Sequence, residues 1–246
     1  MKIKRIAIFI VIICFLILTA VYYPKLTGNC IDGENFKYNF EETIVLRVID
    51  GDTIETEFGT IRLLGINTPE KNMQGYEEGK DFLKELENKT IDVLRDKEDT
   101  DKYNRLLRYV FYNNKNINIE IIEKGLANIY MFEDLVFERQ LIRAQEYARD
   151  YGLGIWQKSK EKCSECIILE ELNPQDEYFI LQNDCNFDCN LVGWYVKDAG
   201  RHLFYLKEIK ANQEIKIESK TSVWNNDHDE FFLIDPNGKL VVYYEY

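Results

Sequence analysis

Hard oxygen donors are concentrated in two short stretches of the chain. Asp50 and Asp52 flank a glycine in a turn-forming tripeptide, and Asn67-Thr68-Pro69-Glu70 follows an apolar run. Together they offer carboxylate oxygens, an amide oxygen and a backbone carbonyl. Such ligands suit calcium or magnesium, and a mixture of charged and neutral oxygens favours calcium. The spacing therefore predicts a site for a hard divalent cation.

Two arginines lie close to these donors. Arg62 precedes the second stretch, and Arg105 follows the polar segment 99–104. Two guanidinium groups at one metal site would bind a phosphodiester in forked geometry and stabilise the charge that develops on its oxygens. Glu70 would then orient or deprotonate the attacking water. These residue types together predict phosphodiester hydrolysis.

The composition excludes other hydrolytic chemistry in this part of the chain. Residues 1–158 contain no serine and no histidine, so neither a Ser-His-Asp triad nor a histidine-dependent nuclease site can form there. The formal net charge of the whole chain is −12. A broad electrostatic coat for nucleic acid is therefore excluded, and binding must depend on a focused cationic site.

Periodicity predicts the elements that would position these residues. Alternating runs separated by Asp50-Gly51-Asp52 and Phe58-Gly59 predict three strands, and two more strands and three helices follow. The predicted strands are 43–49, 53–57, 60–66, 90–94 and 106–112, and the helices lie within 75–87, 117–124 and 134–150. Five short strands with inserted helices predict a barrel of the oligonucleotide-binding (OB) type and an α+β, mostly β, fold.

Three motifs resemble the signature blocks of the staphylococcal nuclease (thermonuclease) family: VIDGDT at 48–53, IRLLGINTPE at 61–70 and DTDKYNR at 99–105. Gly125-Leu126-Ala127 and Gly154-Ile155-Trp156 are similar to later landmarks of that family, so the resemblance covers about 43–157. It implies a calcium-dependent phosphodiesterase that acts on DNA and RNA and leaves 3′-phosphates.

The resemblance also implies roles for individual residues. The implied catalytic residues are Arg62, Glu70 and Arg105. The implied metal ligands are Asp52, Asn67 and Thr68, with Asp50 as a weaker candidate. The implied nucleotide-binding residues, through phosphate contact and stacking, are Lys102, Tyr103 and Tyr130.

Two positions depart from the family pattern. Well-known members carry aspartate where Asn67 stands, so one ligand charge is lost and we expect weaker calcium binding. Asn104 replaces a glycine, and asparagine tolerates the left-handed backbone that such a turn requires. The alternative to an enzyme is an inactive nucleic-acid- or protein-binding module at the cell surface. Retention of Arg62, Glu70 and Arg105 favours the enzyme.

The N-terminus has the pattern of a targeting segment. Lys2, Lys4 and Arg5 precede an unbroken apolar run that ends near Val21. The run is long enough for a transmembrane anchor through residues 6–22, although a cleaved signal peptide remains the alternative. We therefore divide the chain into 1–23 (anchor or signal), 24–42 (tether), 43–158 (nuclease-like) and 165–246, with the last two outside the cytoplasmic membrane. No oligomer is predicted.

Residues 165–246 show almost no helical pattern. Short alternating or aromatic runs separated by turns predict a β-sandwich. Segments 168–173, 178–183, 191–195, 223–225 and 233–238 resemble the lamin-tail domain, which implies an immunoglobulin-like sandwich. Its aromatic residues are expected in the core: Trp194, Phe204, Tyr205, Trp224 and Phe232. The net charge of residues 161–246, with 8 basic and 17 acidic groups, is −9 and disfavours nucleic acid as its ligand.

Four cysteines bracket the first predicted hairpin of this second part. Cys163-x-x-Cys166 and Cys185-x-x-x-Cys189 should meet in space. Two disulfides suit an extracytoplasmic location, the same spacing suits a structural zinc ion, and free thiols are a third option.

Overall fold

The structure is a computed structural model that describes residues 39–131 and 134–246. The predicted anchor at 6–22 and most of the tether lie outside the described residues. Within 39–131 and 134–246, no helix is long and apolar enough to cross a membrane.

Residues 41–112 form a closed five-stranded barrel. The chain runs through β1 (Glu41–Val48), β2 (Thr53–Thr56), β3 (Gly59–Leu63), β4 (Ile66–Asn67), α1 (Tyr76–Lys84), β5 (Thr90–Thr100) and β6 (Leu106–Tyr112). The strand order is β3-β2-β1-β5-β6, and parallel pairing of β3 with β6 closes the barrel. Alternating apolar side chains point inward, and Val45, Ile54, Ile61 and Val110 are completely buried. The predicted OB-type barrel is confirmed.

Three helices accompany the barrel, as predicted. After α1, the short strand β7 (Lys115–Asn116) leads into α2 (Ile117–Glu123), and β8 (Asn128–Ile129) precedes α3 (Glu138–Asp150). Asn116 caps α2, because its side-chain oxygen accepts bonds from the N–H groups of Asn118 and Ile119. A 3₁₀ turn at Gly154–Trp156 follows α3.

Three predicted boundaries were wrong by three residues or more. The strand predicted at 60–66 ends at Leu63, and Ile66–Asn67 is a separate strand that pairs with β8. The strand predicted at 90–94 continues to Thr100, because beyond a register shift Thr100 pairs with Leu106 of β6. The helix predicted to begin at residue 134 begins at Glu138. The preceding residues fasten this segment to the barrel: the Val136 N–H binds Asp96, and the Phe137 ring packs edge-on against Tyr109.

Two glycines of the family-like segments 125–127 and 154–156, Gly125 and Gly154, are in close contact. Gly125 and Gly154 both have positive φ, of 69° and 52°. A Cβ on Gly154 would lie 2.0 Å from the Gly125 carbonyl oxygen, and a Cβ on Gly125 would lie 2.2 Å from the Leu153 oxygen. The Ile155 N–H donates to that same Gly125 oxygen. Only glycine fits at either position, and the contact joins the end of α2 to the segment after α3.

The remaining residues form small antiparallel sheets. After a 3₁₀ turn at Lys162–Glu165, the strands are β9 (Ile167–Asn173), β10 (Tyr178–Asn183), β11 (Cys189–Asn190), β12 (Tyr195–Lys197), β13 (Leu203–Tyr205), β14 (Glu208–Ile209), β15 (Glu214–Glu218), β16 (Glu230–Ile234) and β17 (Leu240–Glu245). The sheet orders are β15-β10-β9, β13-β12-β16-β17 and β11-β14. The lamin-tail resemblance and the immunoglobulin-like assignment stay predictions.

The core of this part is aromatic, as expected from the sequence. Trp194 and Trp224 are buried together with Phe179 and Phe231, and Phe204 packs against that cluster. Tyr205 was wrongly expected in the core. It is 71% exposed, because adjacent strand residues point to opposite faces and Phe204 takes the inward position.

The four cysteines of this part meet, as predicted. The structure pairs Cys163 with Cys189 and Cys166 with Cys185, at Cα–Cα separations of 5.8 and 5.4 Å. The sulfurs of Cys166, Cys185 and Cys189 all lie within 4.8 Å of one another. Disulfide pairing is therefore what this structure contains, although the same cluster has the composition of a thiolate zinc site.

The two parts of the described chain pack against each other. Trp156 and Ala148 share an apolar cluster with Phe232, Ile234 and Leu240. Beside it, the Gln145 amide donates to the buried Glu230 carboxylate at 2.6 Å, and the Ser159 hydroxyl donates to Asp235 at 2.7 Å. Residues 39–246 accordingly form one compact unit.

Candidate functional site

Asp52 fastens the first donor stretch to the second. It is buried in the turn between β1 and β2, and its Oδ2 accepts bonds from the Thr68 N–H at 3.1 Å and the Thr68 hydroxyl at 3.2 Å. Its Oδ1 accepts from the Thr53 hydroxyl and lies 3.2 Å from Arg62 Nε. One carboxylate thus brings two predicted metal ligands and a predicted catalytic arginine together.

Gly51 allows this close approach. A Cβ at Gly51 would lie 2.8 Å from the Thr68 hydroxyl oxygen and 2.9 Å from two carbons of the same side chain. Any larger residue would push Thr68 away from Asp52. The glycine of the Asp50-Gly51-Asp52 turn is therefore required by packing.

Arg62 is held rigidly at the end of β3. Its guanidinium donates to the carbonyl oxygens of Leu63 and Ile66, each at 2.7 Å, and pairs with Asp52. Burial lowers the pKa of Arg62, and attraction to Asp52 opposes that shift. An arginine stays cationic in proteins, so the fold supplies a fixed positive charge.

Asp50 and Asp52 are neighbouring carboxylates in the turn between β1 and β2. Burial raises the pKa of Asp50, and repulsion from the Asp52 carboxylate adds to the effect. A divalent cation between such groups would offset that repulsion. Together with the Thr68 carbonyl and the Asn67 amide oxygen, these carboxylates are of the donor types that a hard cation such as calcium prefers.

Arg105 is positioned by a tight turn. Asp101 Oδ1 accepts bonds from the N–H groups of Tyr103 and Arg105, and Asp101 Oδ2 pairs with the Arg105 guanidinium at 2.7 Å. Asn104 has φ of 64°, so the expectation that asparagine takes the left-handed conformation here is confirmed. The Tyr103 ring is exposed, and the Arg105 and Lys102 cations lie 5.5 and 5.1 Å from its centroid.

One cavity of about 620 Å³ joins these side chains. The predicted site residues that line it are Arg62, Asn67, Lys102, Tyr103, Arg105 and Tyr130. The predicted metal ligands Asp50, Asp52 and Thr68 do not line it, although Asp52 pairs with Arg62, which does. The structure therefore brings the two arginines predicted to be catalytic and the three residues predicted to bind nucleotide to one concave surface.

Glu70, the third predicted catalytic residue, does not line the cavity and is paired with a residue that sequence reasoning missed. Its carboxylate pairs at 2.7 Å with Nε of Arg201, which also lines the cavity. Arg201 belongs to the second part of the chain, in the 198–202 loop that joins β12 to β13. Its side chain is 57% exposed, and that of Glu70 is 42% exposed.

Asn67 makes a further contact with the 198–202 loop. Its amide Nδ2 donates to the carbonyl oxygens of Ala199 and Gly200, both at 3.3 Å, and its Oδ1 lies 3.4 Å from an Arg62 nitrogen. Aspartate could not donate these bonds. The departure of Asn67 from the family pattern was the one sequence signal of this contact, but nothing in the sequence named its partner.

The chain is similar to several known proteins. Residues 60–158 match the family described as staphylococcal nuclease homologue. The chain is 31% identical over 164 residues to a thermonuclease of Staphylococcus intermedius, covering 62% of this chain and 94% of that protein. It is 30% identical over 195 residues to an uncharacterised protein of Methanocaldococcus jannaschii, covering 58% and 93%. An uncharacterised endonuclease of Haemophilus influenzae is 30% identical over 118 residues, covering 46% and 64%. The chain belongs to the staphylococcal nuclease family.

Proposed function

We propose that this protein is a calcium-dependent nuclease that hydrolyses phosphodiester bonds of DNA, RNA or both and leaves 3′-phosphates. One observation carries the proposal: Arg62 and Arg105, which come from different strands and turns, line the same cavity. Each is oriented by its own carboxylate partner, Asp52 and Asp101 respectively. Family membership and the named nuclease relatives support the same activity.

The arginines would bind and stabilise the phosphate. Arg62 is already fixed by two carbonyl oxygens and Asp52, so little reorganisation is needed when charge develops on the phosphate oxygens. Arg105 follows the turn that carries Tyr103, and its side chain is 23% exposed, so it can reach a bound anion. A forked pair of hydrogen bonds from Arg105 would hold the phosphodiester. Arg62, whose N–H groups are largely occupied, would contribute mainly its fixed positive charge.

Glu70 would orient the attacking water and accept its proton. Tyr103 and Tyr130 would stack on bases, and Lys102 would contact a neighbouring phosphate. Asp52, Asn67 and Thr68 would hold calcium, with Asp50 as a further ligand; bound calcium would act as a Lewis acid on the phosphate.

The acidic charge of the chain is consistent with this arrangement. Nucleic acid would be attracted to a focused cluster of cations, not to a basic surface. We further propose that the protein is held at the membrane through residues 6–22, or secreted, with residues 39–246 outside the cytoplasm. The two disulfides support that location. We also propose that residues 165–246 have a lamin-tail-like, immunoglobulin-like fold.

Product analysis of the purified full-length protein tests the function. We expect cleavage of labelled single-stranded DNA and RNA with calcium and none with a calcium chelator. The DNA products should be extended by terminal transferase only after phosphatase treatment, because a 3′-phosphate blocks extension. Binding of the oligonucleotide without cleavage would instead support the inactive binding module. Cleavage that persists in chelator would contradict the calcium-dependent mechanism.

A further inference from the structure

We propose that Arg201 is a third substrate-binding arginine of this site, contacting a phosphate of the nucleic acid held in the cavity. The inference rests on the proposed nuclease function and adds a residue from the second part of the chain. Residues 165–246 would then complete the active site and not form a separate module.

The first support is the position of Arg201. It lines the same cavity as Arg62 and Arg105, and its side chain is more than half exposed. Burial is the main cause of the lowered pKa of Arg62, and repulsion from Arg105 and Arg201 adds to it. Three guanidinium groups thus place positive charge at one cavity. An anion bound in that cavity would offset the repulsion between them.

The second support is that the 198–202 loop is held at this position from both sides. From the nuclease barrel side, Asn67 donates to the Ala199 and Gly200 carbonyls, and Asn128 donates to the Ala199 carbonyl at 3.2 Å. From the second part of the chain, Asp229 accepts a bond from the Ala199 N–H at 3.2 Å. The Asn67 side chain therefore helps to fix the position of the loop that carries Arg201.

Within the loop, Asp198 fixes the residue after Arg201. Its buried carboxylate accepts bonds from the His202 N–H at 3.0 Å and from the His202 ring at 2.6 Å. The backbone on both sides of Arg201 is thus held, while its side chain is free to move between anionic partners. A guanidinium placed this way can exchange the Glu70 carboxylate for a phosphate.

The ion pair with Glu70 indicates how substrate binding would affect the base. A phosphodiester oxygen competes with Glu70 for the Arg201 guanidinium, and both side chains are exposed enough for the exchange to occur. Once Arg201 contacts the phosphate, the Glu70 carboxylate is available to a water molecule. Arg201 would therefore strengthen substrate binding. It would also release Glu70, the proposed base, only when substrate is present.

Steady-state kinetics of full-length Arg201→Ala and Arg201→Lys test this inference. We expect Arg201→Ala to raise KM about tenfold to a hundredfold with a smaller change in kcat, since one charge-assisted contact to substrate is lost. Arg201→Lys keeps the charge and should lie between. The slope of log(kcat/KM) against log[salt] should become shallower by about 0.7 to 0.9 in Arg201→Ala, as expected for one fewer phosphate contact.

A matched control is Arg143→Ala, which removes the same charge from an exposed position on α3 outside the cavity lining. It should behave as wild type. Unchanged KM and salt slope in Arg201→Ala, with an active wild type, would overturn this inference alone. A higher kcat/KM in Arg201→Ala would also overturn it, because Arg201 would then act only as a block on Glu70. An inactive wild-type protein would overturn the proposed function itself.

Discussion

Asn67 is assigned two roles: it donates hydrogen bonds to the 198–202 loop, and it is a proposed calcium ligand. Replacing it by aspartate separates these two roles. Asn67 is buried, and its amide donates to the Ala199 and Gly200 carbonyls. A carboxylate would leave the Gly200 carbonyl without this donor, at about 1–3 kcal/mol. It would also place negative charge beside the Ala199 carbonyl, which keeps its bond from Asn128. Attraction to Arg62 offsets part of that loss. We expect a net destabilisation of about 2 kcal/mol, which lowers Tm by about 4–8 °C in a unit of this size.

Calcium should reverse this effect. The new carboxylate adds a charged ligand beside Asp52, so Asn67→Asp should gain a larger rise in Tm from millimolar calcium than the wild type does. Thermal unfolding followed by circular dichroism, in chelator and in calcium, measures both terms. Asn186→Asp makes the same chemical change at an exposed position and should alter neither. If Asn67→Asp unfolds at the wild-type temperature in chelator and responds to calcium as the wild type does, the reasoning is refuted.

Two further predictions concern stability, and a third concerns the state of the four clustered cysteines. Gly51→Ala should cost about 1–3 kcal/mol in urea unfolding and reduce nuclease activity, because its Cβ would displace Thr68; wild-type stability would contradict this. Burial raises the pKa of Glu230 to about 6 from an ordinary 4.5, so the folded state binds this proton more tightly than the unfolded chain does. The resulting stabilisation is present below pH 4.5 and is lost as pH rises through 6; Glu230→Gln should remove about 2 kcal/mol of that pH dependence, and identical pH profiles would refute it. Finally, the four clustered cysteines should show no free thiol and no bound zinc by thiol titration and metal analysis, whereas stoichiometric zinc would replace the disulfide assignment.

Local patterns explain how much of the fold the sequence predicts. Alternation of apolar residues and the turns at 50–52 and 58–59 predict the barrel strands, since one face of each strand must be buried. Residue types and the family resemblance predict that Arg62 and Arg105 share one site. The structure brings them together by pairing β3 with β6 in parallel, which the sequence did not predict. The boundaries that failed depend on tertiary contacts: β5 lengthens by pairing with β6, and α3 starts late because Phe137 packs on Tyr109.

The contribution of the 198–202 loop to the site could not be predicted from the sequence, for a related reason. The bond from Asn67 to Ala199 joins residues 132 apart, and no periodicity encodes a contact between two independently patterned segments. Arg201 follows a turn and has the pattern of an ordinary surface residue. The loss of a ligand charge at Asn67 was the one sequence sign of this contact. Its meaning becomes clear only from the position of the 198–202 loop next to Asn67.

The catalytic rate of Arg62→Ala and Arg105→Ala tests the central claim most directly. Single-turnover cleavage of a labelled oligonucleotide, with calcium and saturating full-length protein, measures loss of chemistry apart from loss of binding. The convergence of two guanidinium groups on one phosphate predicts a decrease of about 10³- to 10⁵-fold in each variant, with circular dichroism unchanged. Cleavage at the wild-type rate in either variant would contradict the account.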